Sequence, residues 1–169
     1  MNEKKMEAWG KFRKRISINA DSKTIYDSFS TQVGLEKWFL RKANFLTSDG
    51  RPRRKDEQIQ KNDKYYWLWW GHGDDVYEKR IIREANERNY LQFEFSGECI
   101  VTVRVKKEGG ETILDLMQEQ IEFDENPAKN LFVGCGVGWT FYLTNLKSVL
   151  EGGIDLRNRN PKLKNLINS

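Results

Sequence analysis

The sequence predicts an α+β protein of two layers, a curved antiparallel sheet covered by one long C-terminal helix. Three observations carry that prediction. From Lys64 to Phe123, strand-like runs are separated by compact turn signals at 71–74 (GHGD), 86–89 (NERN), 96–98 (SGE) and 108–111 (EGGE), which makes a meander of five strands. The Gly109-Gly110 turn then fixes a register, pairing Val105 with Leu114 and Val103 with Leu116, while a three-residue loop at 96–98 sets Phe95 opposite Cys99 and Phe93 opposite Val101. One face thereby collects Leu91, Phe93, Phe95, Val101, Val103, Val105, Leu114 and Leu116 and has to be covered. Finally, Phe132, Gly136, Trp139, Leu143, Leu146 and Leu150 recur at helical spacing until Gly152 and Gly153 stop them. With its start signal at Asn126-Pro127 the helix would run about 25 residues, or nearly 40 Å, enough to cross the sheet.

The remaining elements follow in chain order. Between Trp9 and Ile18, Phe12, Lys14, Ile16 and Ile18 alternate with Arg13, Arg15 and Ser17, as in a strand with one solvated face, and Lys11 joins that wet face. Asp21 can cap a short helix carrying Ile25 and Phe29, and Ser30 or Thr31 can cap a second one carrying Leu35, Trp38 and Phe39. A strand is expected near Arg41–Thr47. The stretch 48–64 (SDGRPRRKDEQIQKNDK) has no apolar period and reads as a surface loop with room to move.

Length and charge bound what the chain can be. Its 169 residues make one domain, with a flexible tail after about residue 158, large enough to bury a core without metals or disulfides. The 29 basic and 25 acidic residues leave a net charge of +4, too small a footprint for nucleic acid as a partner. Cys99 and Cys135 lack metal-site spacing and read as thiols in a reducing compartment. The N-terminus is charged where a signal peptide is apolar, and no segment approaches the roughly 20 apolar residues of a membrane span, so a cytoplasmic protein is expected.

Few residues point to chemistry. His72, the only histidine, sits in a Gly-His-Gly-Asp turn with no second histidine to share a metal. Gly134, Gly136 and Gly138 do not make a phosphate loop, and close approach of the helix to the sheet or to a ligand is their expected use. Of the strand carboxylates Glu94, Glu98, Asp115 and Glu119, the register turns Asp115 outward beside Arg104. Arg51, Arg53, Arg54 and Lys55 are diluted by Asp56 and Glu57 and read as a solvated loop. No catalytic residue, metal or cofactor is expected.

Three stretches carry a family likeness: Phe29–Phe39 (FSTQVGLEKWF), Asn62–Trp70 (NDKYYWLWW) and Gly138–Arg157 (GWTFYLTNLKSVLEGGIDLR). Together with the element order they resemble the helix-grip superfamily, the START-like or birch-pollen-allergen-like (SRPBCC) fold, and within it the homologues of the activator of heat-shock protein 90 ATPase. Asn62 departs from the pattern, standing where that strand motif often has glycine. The resemblance implies a curved sheet gripping one helix. Its members include binders of lipids and small hydrophobic ligands, a co-chaperone domain and a few cyclase-like enzymes, and fold does not decide among these.

Alternation in the aromatic strand separates Tyr65, Trp67 and Trp69 from Tyr66, Leu68 and Trp70. The first set matches the family's alternate positions and is expected inward. The expected function is a non-enzymatic binding module with an apolar cavity between sheet and helix for a small hydrophobic or amphipathic ligand. Its walls would be Tyr65, Trp67, Trp69, Phe93, Val103 and Leu116 from the sheet and Trp139, Tyr142 and Leu143 from the helix, with Gln118 and Gln120 as polar anchors. The same side chains could instead fill the interior as packed core. The alternatives in function are a co-chaperone module that binds a chaperone through its surface, a homodimer through the outer aromatic set, and a cyclase-like enzyme.

Overall fold

The computed structural model describes residues 8–163 and 166–168. Seven antiparallel strands form one sheet: β1 (Lys11–Ser17), β2 (Lys42–Leu46), β3 (Lys64–Leu68), β4 (Tyr77–Ala85), β5 (Tyr90–Phe95), β6 (Cys99–Glu108) and β7 (Glu111–Glu119). Their spatial order is β1-β7-β6-β5-β4-β3-β2. Two short helices, α1 (Ser22–Ser30) and α2 (Gln32–Trp38), follow β1, and α3 (Leu131–Leu150) lies last. This is the α+β arrangement expected, a curved sheet around one C-terminal helix.

The register follows the sequence argument. Val105 pairs with Leu114, Val103 with Leu116, Phe93 with Val101 and Phe95 with Cys99. All eight residues of the apolar face are buried, each worth about 1.5–3 kcal/mol on full burial. Tyr65 and Trp67 point into the same core, their rings stacked at 3.9 Å, and the Tyr65 hydroxyl donates to the Glu94 carbonyl at 2.5 Å.

Local capping works where the sequence places it. Asp21 accepts from the Thr24 N–H at 2.8 Å, and Thr31 accepts from the Gly34 N–H at 2.9 Å. Gly34 permits the tight α1–α2 junction, because a Cβ there would lie 2.8 Å from Ser28 Cα and collide with the Asp27 carbonyl. Asn62, the departure from the family glycine, has φ 68°, so it supplies the left-handed backbone that glycine would.

Three expectations are corrected. α3 starts at Leu131 rather than near Asn126 and spans 20 residues, about 30 Å; Asn130, not Asn126, caps it by accepting from the Val133 N–H at 3.2 Å. Asp115 shares the register of Arg104 but bonds Arg13 of β1, with Arg13 Nε donating at 2.7 Å, while Arg104 packs over the Tyr90 ring. The stretch 48–64 is tied down: Ile59 is fully buried with its N–H on the Ser30 carbonyl, and Arg53 turns inward to the buried Asp63 and to Glu57.

The terminal Gly-Ile-Asp-Leu-Arg stretch acts as a latch. Asn145, buried on α3, donates to the Trp38 carbonyl at 2.7 Å and to Asp155 at 3.0 Å, and accepts from the Leu156 N–H. The Arg157 guanidinium, with no exposed side-chain surface, donates to the carbonyls of Glu36, Lys37 and Leu40 and to Asp155. The Glu36 and Lys37 carbonyls lie in the last turn of α2, where a helix leaves acceptors without intrahelical donors, and Leu40 follows just beyond it.

Candidate functional site

Between β3 and β4 the chain does not turn tightly. Trp69 and Trp70 leave the strand, and an eight-residue loop, 69–76, carries His72 exposed at the surface. Arg41 anchors this loop, donating to the Trp69 carbonyl at 3.2 Å and to Asp74 at 2.5 Å. The loop stands off from the first half of α3, and an open cleft of about 430 Å³ lies between them.

The cleft has an aromatic floor. The Phe39 ring centroid lies 5.1 Å from Trp139, 4.9 Å from Tyr142 and 5.9 Å from Trp69, and Phe95 lies 5.4 Å from Trp139. Its rim carries exposed apolar side chains: Val76 and Tyr77 on one side, Val137 on the other, with Ile167 beside them. Gly134 and Gly138, one turn apart on α3, line the opening, and a Cβ added at either would meet nothing within 4 Å. These glycines therefore widen the cleft; they do not bring α3 closer to the sheet.

The residues expected to wall or anchor a cavity fall into four groups. Trp69, Trp139 and Tyr142 line the cleft. Tyr65, Trp67, Phe93, Val103, Leu116 and Leu143 are sealed in packed core, where the interior is filled by the aromatics themselves. Gln118 is buried behind Trp139 and accepts from the indole Nε1 at 2.9 Å, its own Nε2 having no nitrogen or oxygen partner among the described residues. Gln120 is not inward at all; with φ 61° it lies beyond the end of β7 and is exposed.

Several cleft residues escaped the sequence reading, notably Phe39, Phe95, Glu78, Ser96 and Cys135. Glu78 was detectable in principle, since the residue paired with an inward Trp67 must itself face inward, but the unequal loop hid the pairing. Burial pushes the Glu78 carboxyl up against the opposing pull of Arg80 and Ser96. Burial likewise raises the Cys135 thiol, and takes the Tyr142 hydroxyl to about 12. Neither is an activated nucleophile in this setting. Among the described residues no three His, Cys, Asp or Glu side chains converge on a metal position, and no helix is long and apolar enough to cross a membrane.

A larger groove of about 620 Å³ lies by Ser17–Asp21 and Lys107–Thr112. Its lysines are already engaged, Lys147 with Glu151 and the Ser17 carbonyl, Lys107 with Thr112. It has no aromatic wall, so the smaller cleft is the better site.

An antiparallel sheet wrapped on a C-terminal helix, with an apolar cleft at the open end, defines a helix-grip protein. The chain belongs to the family described as activator of Hsp90 ATPase homolog 1-like protein, whose model matches residues 19–151. No curated protein matches the sequence significantly. Similar solved structures include protein SSP2350 from Staphylococcus saprophyticus (TM-score 0.66, 15% identity, covering 87% of this chain and 96% of that one). Others are a conserved protein of unknown function, EF2215, from Enterococcus faecalis (TM-score 0.61, 18% identity, 82% and 70%) and the Aha1 dimer from Colwellia psychrerythraea (TM-score 0.63, 15% identity, 85% and 97%). At these identities the likeness is one of fold.

Proposed function

We propose that the protein is a non-enzymatic, cytoplasmic, one-domain binding module that holds a small hydrophobic or amphipathic molecule in the cleft between loop 69–76 and α3. One observation carries the reading: Val76, Tyr77 and Val137 are 44%, 54% and 64% exposed around an aromatic floor, and apolar groups gathered in a concavity favour a ligand that covers them. Trp69, Trp139 and Tyr142 are its contact residues; the core residues behind them hold these rings in place. The free thiols Cys99 and Cys135 fit a reducing compartment.

The test is a tryptophan-fluorescence titration with apolar probes on the native protein and on Gly138→Phe, whose ring would occupy the opening. Saturable binding that weakens at least tenfold in the variant is expected. A native protein silent to every probe, with the cleft closed in a crystal structure, would sink the idea.

Family membership motivates a second reading, a co-chaperone surface. The expected sign is stimulation of the ATPase of the organism's own heat-shock protein 90, and no change in that rate removes the support. Self-association through the outer aromatic set, of which Tyr66 and Trp70 are half-buried and Leu68 is buried, goes with this reading, and a monomer at high concentration by light scattering counts against it.

A further inference from the structure

The cleft is mostly apolar, with His72 and Ser96 among its polar lining residues. Among the described residues lining it there is one carboxylate, Glu78, and no lysine or arginine. Glu78 faces inward because it pairs with Trp67 across β3 and β4, and directly opposite residues share a face. Its side chain is only 12% exposed.

Within the chain this carboxylate pairs with Arg80, whose Nε lies 3.3 Å away. Burial is nevertheless the larger influence and holds the Glu78 carboxyl above its ordinary value against the pull of Arg80 and Ser96. A negative charge that its own protein under-compensates gains from any further donor or cation brought to it.

The rings supply the second half of the argument. Phe39 meets Trp69 and Tyr142 nearly edge-on, at 80° in both cases, and lies almost parallel to Trp139 at 29°. Phe39 and Trp139 are almost fully buried against each other, so the ring surface open to the cleft is chiefly that of the half-buried Trp69 and Tyr142, and aromatic faces are electron-rich and attract cations. Carboxylate and rings therefore select the same sign of charge.

We propose that the cleft takes amphipathic cations, with a hydrocarbon or aromatic body on Trp69 and Tyr142 and an ammonium head at Glu78. This rests on the reading of the cleft as a ligand site and adds the sign of the ligand's charge. The protein's net charge of +4 pulls the other way, so a preference for cations has to come from the cleft itself.

Three probes of one chain length separate the possibilities: decyltrimethylammonium, decanol and decanoate, titrated below their micellar range against tryptophan fluorescence at pH 8. The ammonium is expected to bind at least tenfold more tightly than the carboxylate, with the alcohol between. In Glu78→Gln, which removes the charge and keeps the volume, the ratio is expected to fall to within threefold. Decanoate binding as tightly as the ammonium, or an undiminished ratio in a folded Glu78→Gln, overturns the charge assignment while leaving the cleft as a site. Failure of all three probes overturns both.

Discussion

Replacing Arg157 by Met should destabilise the protein more than any surface charge change. The side chain has no exposed surface, and its guanidinium serves Asp155 together with the carbonyls of Glu36, Lys37 and Leu40. Methionine fills much of the volume, so the loss is mainly polar. Removing one partner of a buried ion pair costs about 3–5 kcal/mol, and Asp155 retains Arg159 and Asn145, which argues for the lower end. In a chain of this length about 1 kcal/mol moves the midpoint by roughly 2–4 °C, so a drop of about 6–20 °C is expected by circular dichroism. Arg157→Lys should fall between, since an ammonium cannot reach four acceptors in the fixed fork of a guanidinium. Arg159→Ala, at a half-exposed pair, should stay within about 0.5 kcal/mol of the native protein. A midpoint for Arg157→Met within 2 °C of the native value would refute the latch. If the variant does not fold, urea titration of Arg157→Lys against Arg159→Ala gives the same comparison.

Gly136 sits inside α3 with open space where a Cβ would go, so Gly136→Ala should stabilise by about 0.5–1 kcal/mol in urea denaturation. Gly34→Ala should do the reverse by several kcal/mol, since its methyl meets the backbone of α1; a neutral result would mean that the two helices can separate. Acid should weaken the fold progressively: hydrogen bonding from Arg13 lowers the Asp115 carboxyl, and Asp155, which burial alone would raise, is held down by Arg157 and Arg159. Carboxyls depressed in the folded state stabilise it above their unfolded value of about 3.9 and lose that contribution as pH falls through the folded values. Thermal midpoints should then be flat above about pH 5 and fall steadily from pH 4 downward, and a flat profile to pH 2 would contradict these assignments.

What could be read from the sequence was whatever depends on neighbours along the chain. The β6–β7 register is set by a two-residue turn and a period of two, so a single glycine pair correctly set Val103 opposite Leu116, Arg104 opposite Asp115 and Val105 opposite Leu114. The caps Asp21 and Thr31 act three residues downstream and are equally local. The errors lie where a distant segment competes. Asp115 prefers Arg13, which precedes it by 102 residues, over Arg104, its cross-strand neighbour, because β1 brings a guanidinium into bonding reach. Asn126-Pro127 is a sound helix start by itself, yet Asn130 caps the helix and ties its own amide to the Asp124 carbonyl, so the preceding residues form a turn instead. Trp69 and Trp70 continue an aromatic alternation that the backbone abandons at Leu68, and nothing local marks that break.

That break decides where a ligand can go. Tyr65, Trp67 and Phe93, expected to line an interior cavity, are all but fully buried and pack with Trp38 and Phe29 in the core. The remaining opening exists because the chain omits volume at two places: Gly134 and Gly138 carry no side chain on the helix, and loop 69–76 swings away instead of closing the hairpin. Filling the first place should shut the cleft while sparing the fold, whereas shortening the loop would pull Val76 and Tyr77 inward and draw Glu78 from its position opposite Trp67. The helix glycines are therefore the place where access can be tested separately from stability.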